Sequence, residues 1–297
     1  MKRRLCLLAL VLTLVMSFTA FAGDWYQKDG EWYYTDTSNP WVRYGDDWYY
    51  IDSTGKMMTN YITPDGYYIS FSGRMVNQSD RLHHEKNSVE FRKTNLVLKY
   101  LETGDSSVLQ TFNTGNYGTG YYSACVGLLD GRILFNELQQ GTVYGYNQKE
   151  LYNYVKSVLE PIAKESVSLP ELERAQFLYD KVCETLEYGY PYEETIKQAE
   201  SEGKNLMGLV YSRTIPGALL TKSGFCVEYT EVYNRLCNLA GLDAYTETCM
   251  EHDHTWTVLV INGERYYADT SSWDQIGARD RRVVKNRYWC SHDLYSE

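Results

Sequence analysis

The chain has 297 residues, of which 43% are hydrophobic and 23% are charged. This length and composition predict one large or two modest globular domains, and they exclude a collagen, a coiled coil and wholesale disorder. The formal net charge of -10 argues against a nucleic-acid partner, because no basic field would attract phosphates. The unusual feature is an aromatic fraction of 15%, with 29 Tyr and 7 Trp.

Residues 1–22 have the pattern of a secretory signal. Basic residues at positions 2 to 4 precede the apolar run Leu5–Met16, and Ala20 and Ala22 supply the small residues of a cleavage site. The apolar run is shorter than the roughly 20 residues that a membrane span needs. We therefore expect an exported protein, extracellular or cell-wall associated, without a transmembrane segment in its mature form.

Residues 23–76 contain an internal repeat of aromatic residues and turn glycines. Its period of roughly 16 to 20 residues predicts tandem β-hairpins that are too small to fold alone and stack through their aromatic rings. The repeated motifs are Trp32-Tyr33-Tyr34, Trp48-Tyr49-Tyr50 and Tyr67-Tyr68.

These units resemble the choline-binding or glucan-binding repeats of Gram-positive surface proteins. The resemblance implies aromatic cages for a quaternary ammonium, or platforms for sugar rings, so the expected partner is a choline-like ligand or a cell-wall polysaccharide. The candidate ligand-binding residues are Trp32, Trp48, Tyr50 and Met57. The alternative is that the aromatics only hold the hairpins together and the segment is a spacer.

The polar residues 77–86 are predicted to be a linker, and residues 87–297 a catalytic domain with its core at 168–297. At the start of that core, Ser168 and Glu171 have capping-box spacing, which predicts a helix. Apolar residues at steps of three and four predict its buried stripe. They are Leu172, Ala175, Tyr179, Val182 and Leu186.

Cys226 stands at or just before the first turn of a second predicted helix, which Gly241 ends. Unpaired backbone N–H groups and the positive end of the helix dipole favour a thiolate at that position. Cys237 lies in the middle of the same helix beside Leu236, so we expect its pKa to be raised and its thiol to be inert.

A β-hairpin with Asn262-Gly263 as its turn follows. Counting back from the turn places Trp256 opposite Asp269, and His254 diagonal to Asp269 on the same face. His252 would share that face and competes with His254 for the role of base.

Cysteine, histidine and aspartate in this order suit nucleophilic catalysis. A thiolate attacks a carbonyl, an imidazole holds and then delivers the proton, and a carboxylate fixes the imidazole tautomer. A metal site at Cys249, His252 and His254 is the alternative, but it lacks a convincing fourth ligand. We expect neither a metal nor another cofactor.

The same residues resemble the bacterial transglutaminase-like, or papain-like, superfamily. The resemblance implies an α+β fold in which the nucleophile helix packs on an antiparallel sheet. It also implies that Cys226 is the nucleophile, His254 the general base and acid, and Asp269 the orienting carboxylate, with Tyr190 or Tyr211 as a possible oxyanion donor. The blocks that carry it are Gly224–Tyr229, His254–Trp256 and Tyr266–Trp273.

The sequence thus favours a secreted thiol hydrolase that acts on peptide or side-chain amide bonds through a thioester. Its substrate would be a peptide or protein. Two alternatives stay open: a protein-crosslinking transglutaminase, and a catalytically silent cell-surface binding protein.

Overall fold

The computed structural model describes residues 23–76, 89–105, 107–108, 125–126, 131–132, 142–249, 253–271 and 283–285. The predicted signal segment 1–22, the predicted linker 77–86 and His252 lie outside the described residues. Contacts divide the chain into two compact units, Met1–Met58 and Thr59–Glu297. No helix among the described residues is both long and apolar enough to cross a bilayer.

The described residues of the first unit form two antiparallel hairpins, which confirms the hairpin prediction for the first two repeats. Their aromatic rings pack on one another around the buried Val42 and Ile51: Trp25 lies 5.0 Å from Tyr34 and 5.5 Å from Tyr49 of the next repeat, centroid to centroid. The strands are β1 (Trp25–Lys28), β2 (Glu31–Tyr34), β3 (Trp41–Tyr44) and β4 (Asp47–Tyr50).

The third repeat belongs to the second unit, although the sequence groups it with the other two. Its short hairpin pairs β5 (Tyr61–Ile62) with β6 (Tyr68–Ile69). Lys99 donates to the Ile62 carbonyl at 2.8 Å, and its ammonium lies 5.1 Å from the Tyr61 ring centroid. The guanidinium of Arg92 likewise covers the Tyr67 ring at 4.4 Å. Cations of the protein itself therefore occupy these two aromatic faces.

The rest of the second unit is mainly helical before its sheet. Seven helices lie in the part of the chain that the structure describes. They are α1 (Val89–Thr103), α2 (Gln148–Ser166), α3 (Glu171–Thr185), α4 (Glu193–Ser201), α5 (Leu206–Tyr211), α6 (Ile215–Thr221) and α7 (Cys226–Leu239). Short strand pairs join β7 (Cys125–Val126) to β8 (Gly131–Arg132), β9 (Thr142–Val143) to β10 (Tyr146–Asn147), and β11 (Glu187–Tyr188) to β12 (Ser223–Gly224); the last pair is parallel.

The main sheet has four antiparallel strands in chain order. They are β13 (Asp243–Cys249), β14 (His254–Ile261), β15 (Glu264–Ala268) and β16 (Val284–Lys285).

Helix α7 packs on the sheet, and two buried hydrogen bonds join it to strand β14 within this apolar contact. The Thr230 hydroxyl donates to the Thr255 carbonyl at 3.1 Å, and the Thr257 hydroxyl donates to Asn234 Oδ1 at 2.8 Å. All four side chains are buried, so these bonds fix the position of the helix along the strand. The predicted α+β class, with the cysteine helix on an antiparallel sheet, is confirmed.

The start of α3 differs from its prediction. Pro170 is the N-cap, with an extended ψ of 148°, and no side chain caps the helix, so the predicted Ser168 capping box is wrong. Leu172 is exposed, and Leu178 takes its place in the buried stripe. The helix begins with Pro170 rather than Ser168 as its cap, so the side chain of Ser168 lies too far before the first turn to cap it.

The end of α7 follows its prediction closely. Gly241 has a φ of 85°, its N–H donates to the Asn238 carbonyl at 3.2 Å, and the N–H of Leu242 donates to the Cys237 carbonyl at 2.8 Å. This is a Schellman motif, which requires the left-handed backbone that glycine adopts readily. The site of Cys226 therefore lies on a helix with both ends defined.

Candidate active site

Cys226 is the first residue of α7. Phe225 before it is the N-cap, with φ -112° and ψ -170°, and its N–H donates to the Glu228 carboxylate at 3.0 Å. The first hydrogen bond within the helix runs from the Tyr229 N–H to the Phe225 carbonyl. The backbone N–H groups of the residues before Tyr229 therefore have no helical carbonyl to which they can donate. Cys226 is 8% exposed. It therefore sits at the electropositive end of the helix and is largely shielded from solvent.

The hairpin of β14 and β15 has the predicted register. Ile261 pairs with Glu264 and Thr257 with Ala268, which carries the pairing on to Trp256 opposite Asp269. Asn262 and Gly263 have φ values of 52° and 76°, so both occupy the left-handed region that a type I′ turn demands. The prediction from the Asn-Gly turn is confirmed.

His254 and Asp269 make a direct contact across this hairpin. The Nε2 atom of His254 lies 2.6 Å from Oδ2 of Asp269, whose side chain is only 3% exposed. The second oxygen, Oδ1, accepts the N–H of Ser271 at 3.0 Å and its hydroxyl at 2.9 Å. A carboxylate held by these bonds orients the imidazole, because it fixes which ring nitrogen faces it.

Cys226 lies beside the start of the strand that carries the imidazole. Hydrogen bonding and charge from Cys226 are among the causes that raise the pKa of His254. The thiol also lies 3.9 Å from the backbone carbonyl of Asp253, a residue with a positive φ of 48°. The structure thus brings the three sequence-predicted residues together.

The environment of the His254 ring favours its protonated form. Burial, the largest influence, lowers the pKa of His254, but hydrogen bonds to Asp269 and Cys226 and their charges outweigh it and raise the pKa to about 10. An imidazolium between a carboxylate and a sulfur is the charge arrangement of a thiolate–imidazolium pair.

The other described cysteines have different surroundings. Burial raises the pKa of Cys237 well above its ordinary value, in the direction that the sequence predicts. Cys183 and Cys249 are half-buried. Within the described part of the chain no three His, Cys, Asp or Glu side chains cluster as metal ligands would. His252, part of the alternative metal set and the competing base, lies outside the described residues.

Aromatic rings cluster around Phe225, the residue before Cys226. Phe225 contacts Tyr190 at 4.9 Å and Tyr188 at 5.4 Å between ring centroids. Burial, followed by the charges of Cys226 and Asp269, raises the pKa of Tyr188. Sequence reasoning named Tyr190 and Tyr211 but missed Tyr188, whose strand β11 pairs with the Ser223-Gly224 segment just before the cysteine. Tyr190 and Tyr211 are both largely exposed.

Two of the four candidate ligand residues of the first unit, Trp48 and Tyr50, contact the same ring. Trp41 contacts Trp48 at 6.4 Å and Tyr50 at 5.0 Å, edge to face in both cases. Trp32 and Trp48 are the most exposed tryptophans of this unit, at 43% and 39%. The N–H of Met57 donates to the Trp32 carbonyl at 2.8 Å, which joins the end of the second repeat to the first.

Comparison with known proteins gives a family for the repeats. Residues 35–74 match the choline-binding repeat, which confirms the resemblance found in the sequence. A solved choline-binding domain from Streptococcus pneumoniae is 31% identical to this chain, covering 24% of this chain and 94% of that domain, with a TM-score of 0.19.

A crystal structure of a transglutaminase (TGase) is also similar, at 16% identity and a TM-score of 0.34; the match covers 53% of this chain and 41% of that one. No curated protein sequence matches the chain significantly. The residues that match the choline-binding repeat include the candidate ligand residues Trp48, Tyr50 and Met57.

Proposed function

We propose that this chain is an exported thiol enzyme that hydrolyses peptide or side-chain amide bonds through a thioester on Cys226. The observation that carries the proposal is the 2.6 Å contact between His254 and Asp269, beside a Cys226 sulfur that lies 3.9 Å from the carbonyl of Asp253, the residue before His254. Among the cysteines that the structure describes, Cys226 is the one at the start of a long helix, where the helix dipole stabilises a negative charge on sulfur.

The chemistry balances with these three groups alone. The Cys226 thiolate attacks the carbonyl carbon of the amide, and the His254 imidazolium gives its proton to the leaving amine as the C–N bond breaks. The acyl group then forms a thioester with the sulfur. Water then attacks the thioester carbonyl, and the neutral imidazole takes one proton from that water. The C–S bond breaks, the carboxylic acid is released, and the thiolate–imidazolium pair is restored.

The negative oxygen formed in each step needs hydrogen-bond donors. Backbone N–H groups at the start of α7 are the candidate donors, because they lack a carbonyl partner in the helix, and each such donor is worth roughly 3 kcal/mol in comparable sites. The rings of Tyr188 and Tyr190 contact Phe225, the residue before Cys226. We propose one of them as the side-chain donor in preference to Tyr211.

Water is the proposed acceptor of the acyl group. The His254 side chain is 28% exposed, so solvent reaches the imidazole that would activate it. A crosslinking transglutaminase would instead accept a primary amine at the same thioester. The two activities differ only in what attacks the thioester, so a mass measurement of products distinguishes them.

For the first unit we propose binding of a choline-like or sugar ligand at the surface of the cell envelope. The family match at residues 35–74 and the exposed indole of Trp48 beside Trp41 support it. Such rings hold a quaternary ammonium through cation–π contact or a sugar through stacking. Together with the signal pattern of residues 1–22, this would keep the enzyme at the wall or in the medium.

The enzyme proposal is tested with a substrate trap. The Cys226→Ala chain is incubated with purified cell walls and culture supernatant, and bound peptides are identified by mass spectrometry, with Cys183→Ala as the matched control. We expect the parent and Cys183→Ala to convert a trapped amide to an acid with a gain of water. Product ligated to an added amine would favour crosslinking, and no turnover of any trapped peptide would support a silent binding protein.

The binding proposal is tested by retention on a choline resin and on cell walls. Trp48→Ala should lose retention, whereas Tyr67→Ala should keep it, because Arg92 already covers the Tyr67 ring. Failure of the parent to bind either matrix would leave the first unit as a spacer.

A further inference from the structure

A buried acid lies two residues after the candidate nucleophile. Glu228 is only 2% exposed, and its Oε2 accepts the N–H of Phe225, the residue before Cys226. An added Cβ on Gly224 would lie 2.7 Å from the Cβ of Glu228, so the chain passes closely over this side chain. Glu228 thus ties down the turn that presents the sulfur.

The carboxylate has an electrostatic consequence for the sulfur. A negative charge close to Cys226 disfavours a thiolate there, and burial of the carboxylate strengthens its field because solvent cannot screen it. Because Glu228 is almost fully buried, its negative charge requires a compensating positive group besides the Phe225 N–H that it accepts.

Arg213 supplies the positive charge that compensates Glu228. Its Nη1 lies 3.1 Å from Oε1 and 3.4 Å from Oε2 of Glu228, and its guanidinium lies 5.0 Å from the Phe225 ring centroid. Burial, the largest influence, lowers the pKa of Arg213, but the charges of Glu228, Cys226 and Tyr190 and the bond to Glu228 raise it overall. The cation therefore acts on the acid and on the sulfur at the same time.

The backbone of Arg213 is also unusual. Its φ is 55° in the loop between α5 and α6, a conformation that costs an ordinary residue free energy and persists where the surroundings require it. Its N–H donates to the Val210 carbonyl at 2.9 Å, which holds the loop in this shape. The strained turn directs the side chain toward the start of α7.

We propose that Arg213 is a positioning residue that keeps Cys226 reactive by neutralising the buried Glu228 carboxylate at the start of α7. The proposal goes beyond the proposed function and needs from it only that Cys226 be the reactive thiol. Other charged or titratable groups that face the sulfur come from the neighbouring elements: Tyr188 from β11, Tyr190 from the loop after it, Asp253 and His254 from the start of β14, and Asp269 from the end of β15.

The test is the pH profile of Cys226 alkylation by iodoacetamide on the full chain, which requires no substrate. We expect Arg213→Met to move the midpoint of the profile upward by about one pH unit, so that the rate at pH 6.5 falls about tenfold. Arg213→Lys should keep the parent midpoint, because it retains the charge while losing the flat contact with Phe225.

The double variant Arg213→Met/Glu228→Gln separates charge from structure. The Gln side chain still offers an oxygen to the Phe225 N–H but carries no charge, so we expect the rate to return to within about threefold of the parent. Arg74→Met is the matched control, since it removes another half-buried ion pair, with Glu171, in the same unit. It should leave the profile unchanged.

A parent-like profile for Arg213→Met overturns the proposal, and so does a double variant as slow as Arg213→Met. Absence of amide hydrolysis in a parent whose Cys226 shows the expected Arg213-dependent profile would instead count against the proposed function alone.

Discussion

The His254 imidazole and the Asp269 carboxylate lie 2.6 Å apart across a two-residue turn that is fixed by Asn262 and Gly263. The backbone of Asp269 is held from its own side as well, because the Tyr179 hydroxyl donates to the Asp269 backbone carbonyl at 2.9 Å. The orientation of the ring is thus set by the hairpin register and by α3, neither of which depends on a bound substrate. The arrangement is preorganised.

Substitutions at Asp269 and Ser271 should give graded losses of hydrolysis. Asp269→Asn keeps the size of the side chain but removes the charge that holds the imidazolium, so we expect kcat to fall about 10²- to 10⁴-fold, as for other general acid–base pairs. Ser271→Ala removes one of two bonds to Oδ1 and should cost at most about tenfold, because the backbone N–H remains. Steady-state kinetics on a peptide found with the trap measures both. If Asp269→Asn lowered kcat no more than Ser271→Ala does, Asp269 would not act through its charge.

The raised pKa of His254 predicts how stability depends on pH. The pKa is about 10 in the folded chain against 6.5 for an ordinary histidine, so the stabilising effect of the protonated ring is fully present below about pH 6.5. It is lost as the pH rises toward 10. Between these values the parent should lose up to about 1.4 kcal/mol of unfolding free energy per pH unit more than His254→Gln does.

Urea unfolding at pH 7, 8 and 9 measures this difference. The two chains share every other titratable group, so subtraction isolates the imidazole together with its partners. Parallel pH dependence of parent and variant would contradict a protonated His254 in the folded protein.

The sequence predicts the site better than the fold around it. Cys226, His254 and Asp269 could be found because each is tied to a short-range signal: a helix start, a strand start and a hairpin turn with a fixed register. Their assembly needs only that α7 packs on β14, which the apolar pattern of both elements favours.

The missed features depend on contacts between distant segments. Arg213 and Glu228 are 15 residues apart, and no local pattern marks their ion pair. Helix α2, by contrast, carries a local signal: Leu151, Val155, Leu159 and Ala163 recur at steps of four after the N-cap Asn147, whose side chain accepts the Glu150 N–H. The place of the third repeat could not be predicted, because Lys99 and Arg92 become its partners only when α1 packs beside it.

The cysteines should differ sharply in reactivity. Iodoacetamide at pH 6 to 7 should alkylate Cys226 at least about tenfold faster than Cys183 or Cys249, because a helix start and an imidazolium favour its thiolate. Cys237 should not react in the folded chain, since burial raises its pKa. Peptide mapping by mass spectrometry gives the order, and His254→Ala should abolish the preference. Equal slow labelling of the accessible thiols in the parent would argue for a scaffold.

Two glycines with similar backbones test how tightly the third repeat packs on the end of α7. Gly241 has a φ of 85°, and a Cβ there would lie 2.1 Å from the Ser72 hydroxyl oxygen and 2.8 Å from that of Ser70. Gly263 has a φ of 76°, but a Cβ there would meet no atom within 4 Å. Both alanine variants incur the cost of a left-handed residue, and only Gly241→Ala must also displace the repeat.

We therefore expect Gly263→Ala to lower the free energy of unfolding by about 1 kcal/mol and Gly241→Ala by roughly 2 to 4 kcal/mol. Urea denaturation of the two variants measures the difference. Because the Phe71 N–H also donates to the Leu239 carbonyl at 3.0 Å, displacement of the repeat breaks a bond to the last turn of the cysteine helix. Equal losses for the two variants would mean that the third repeat yields easily and does not contribute to the stability of α7.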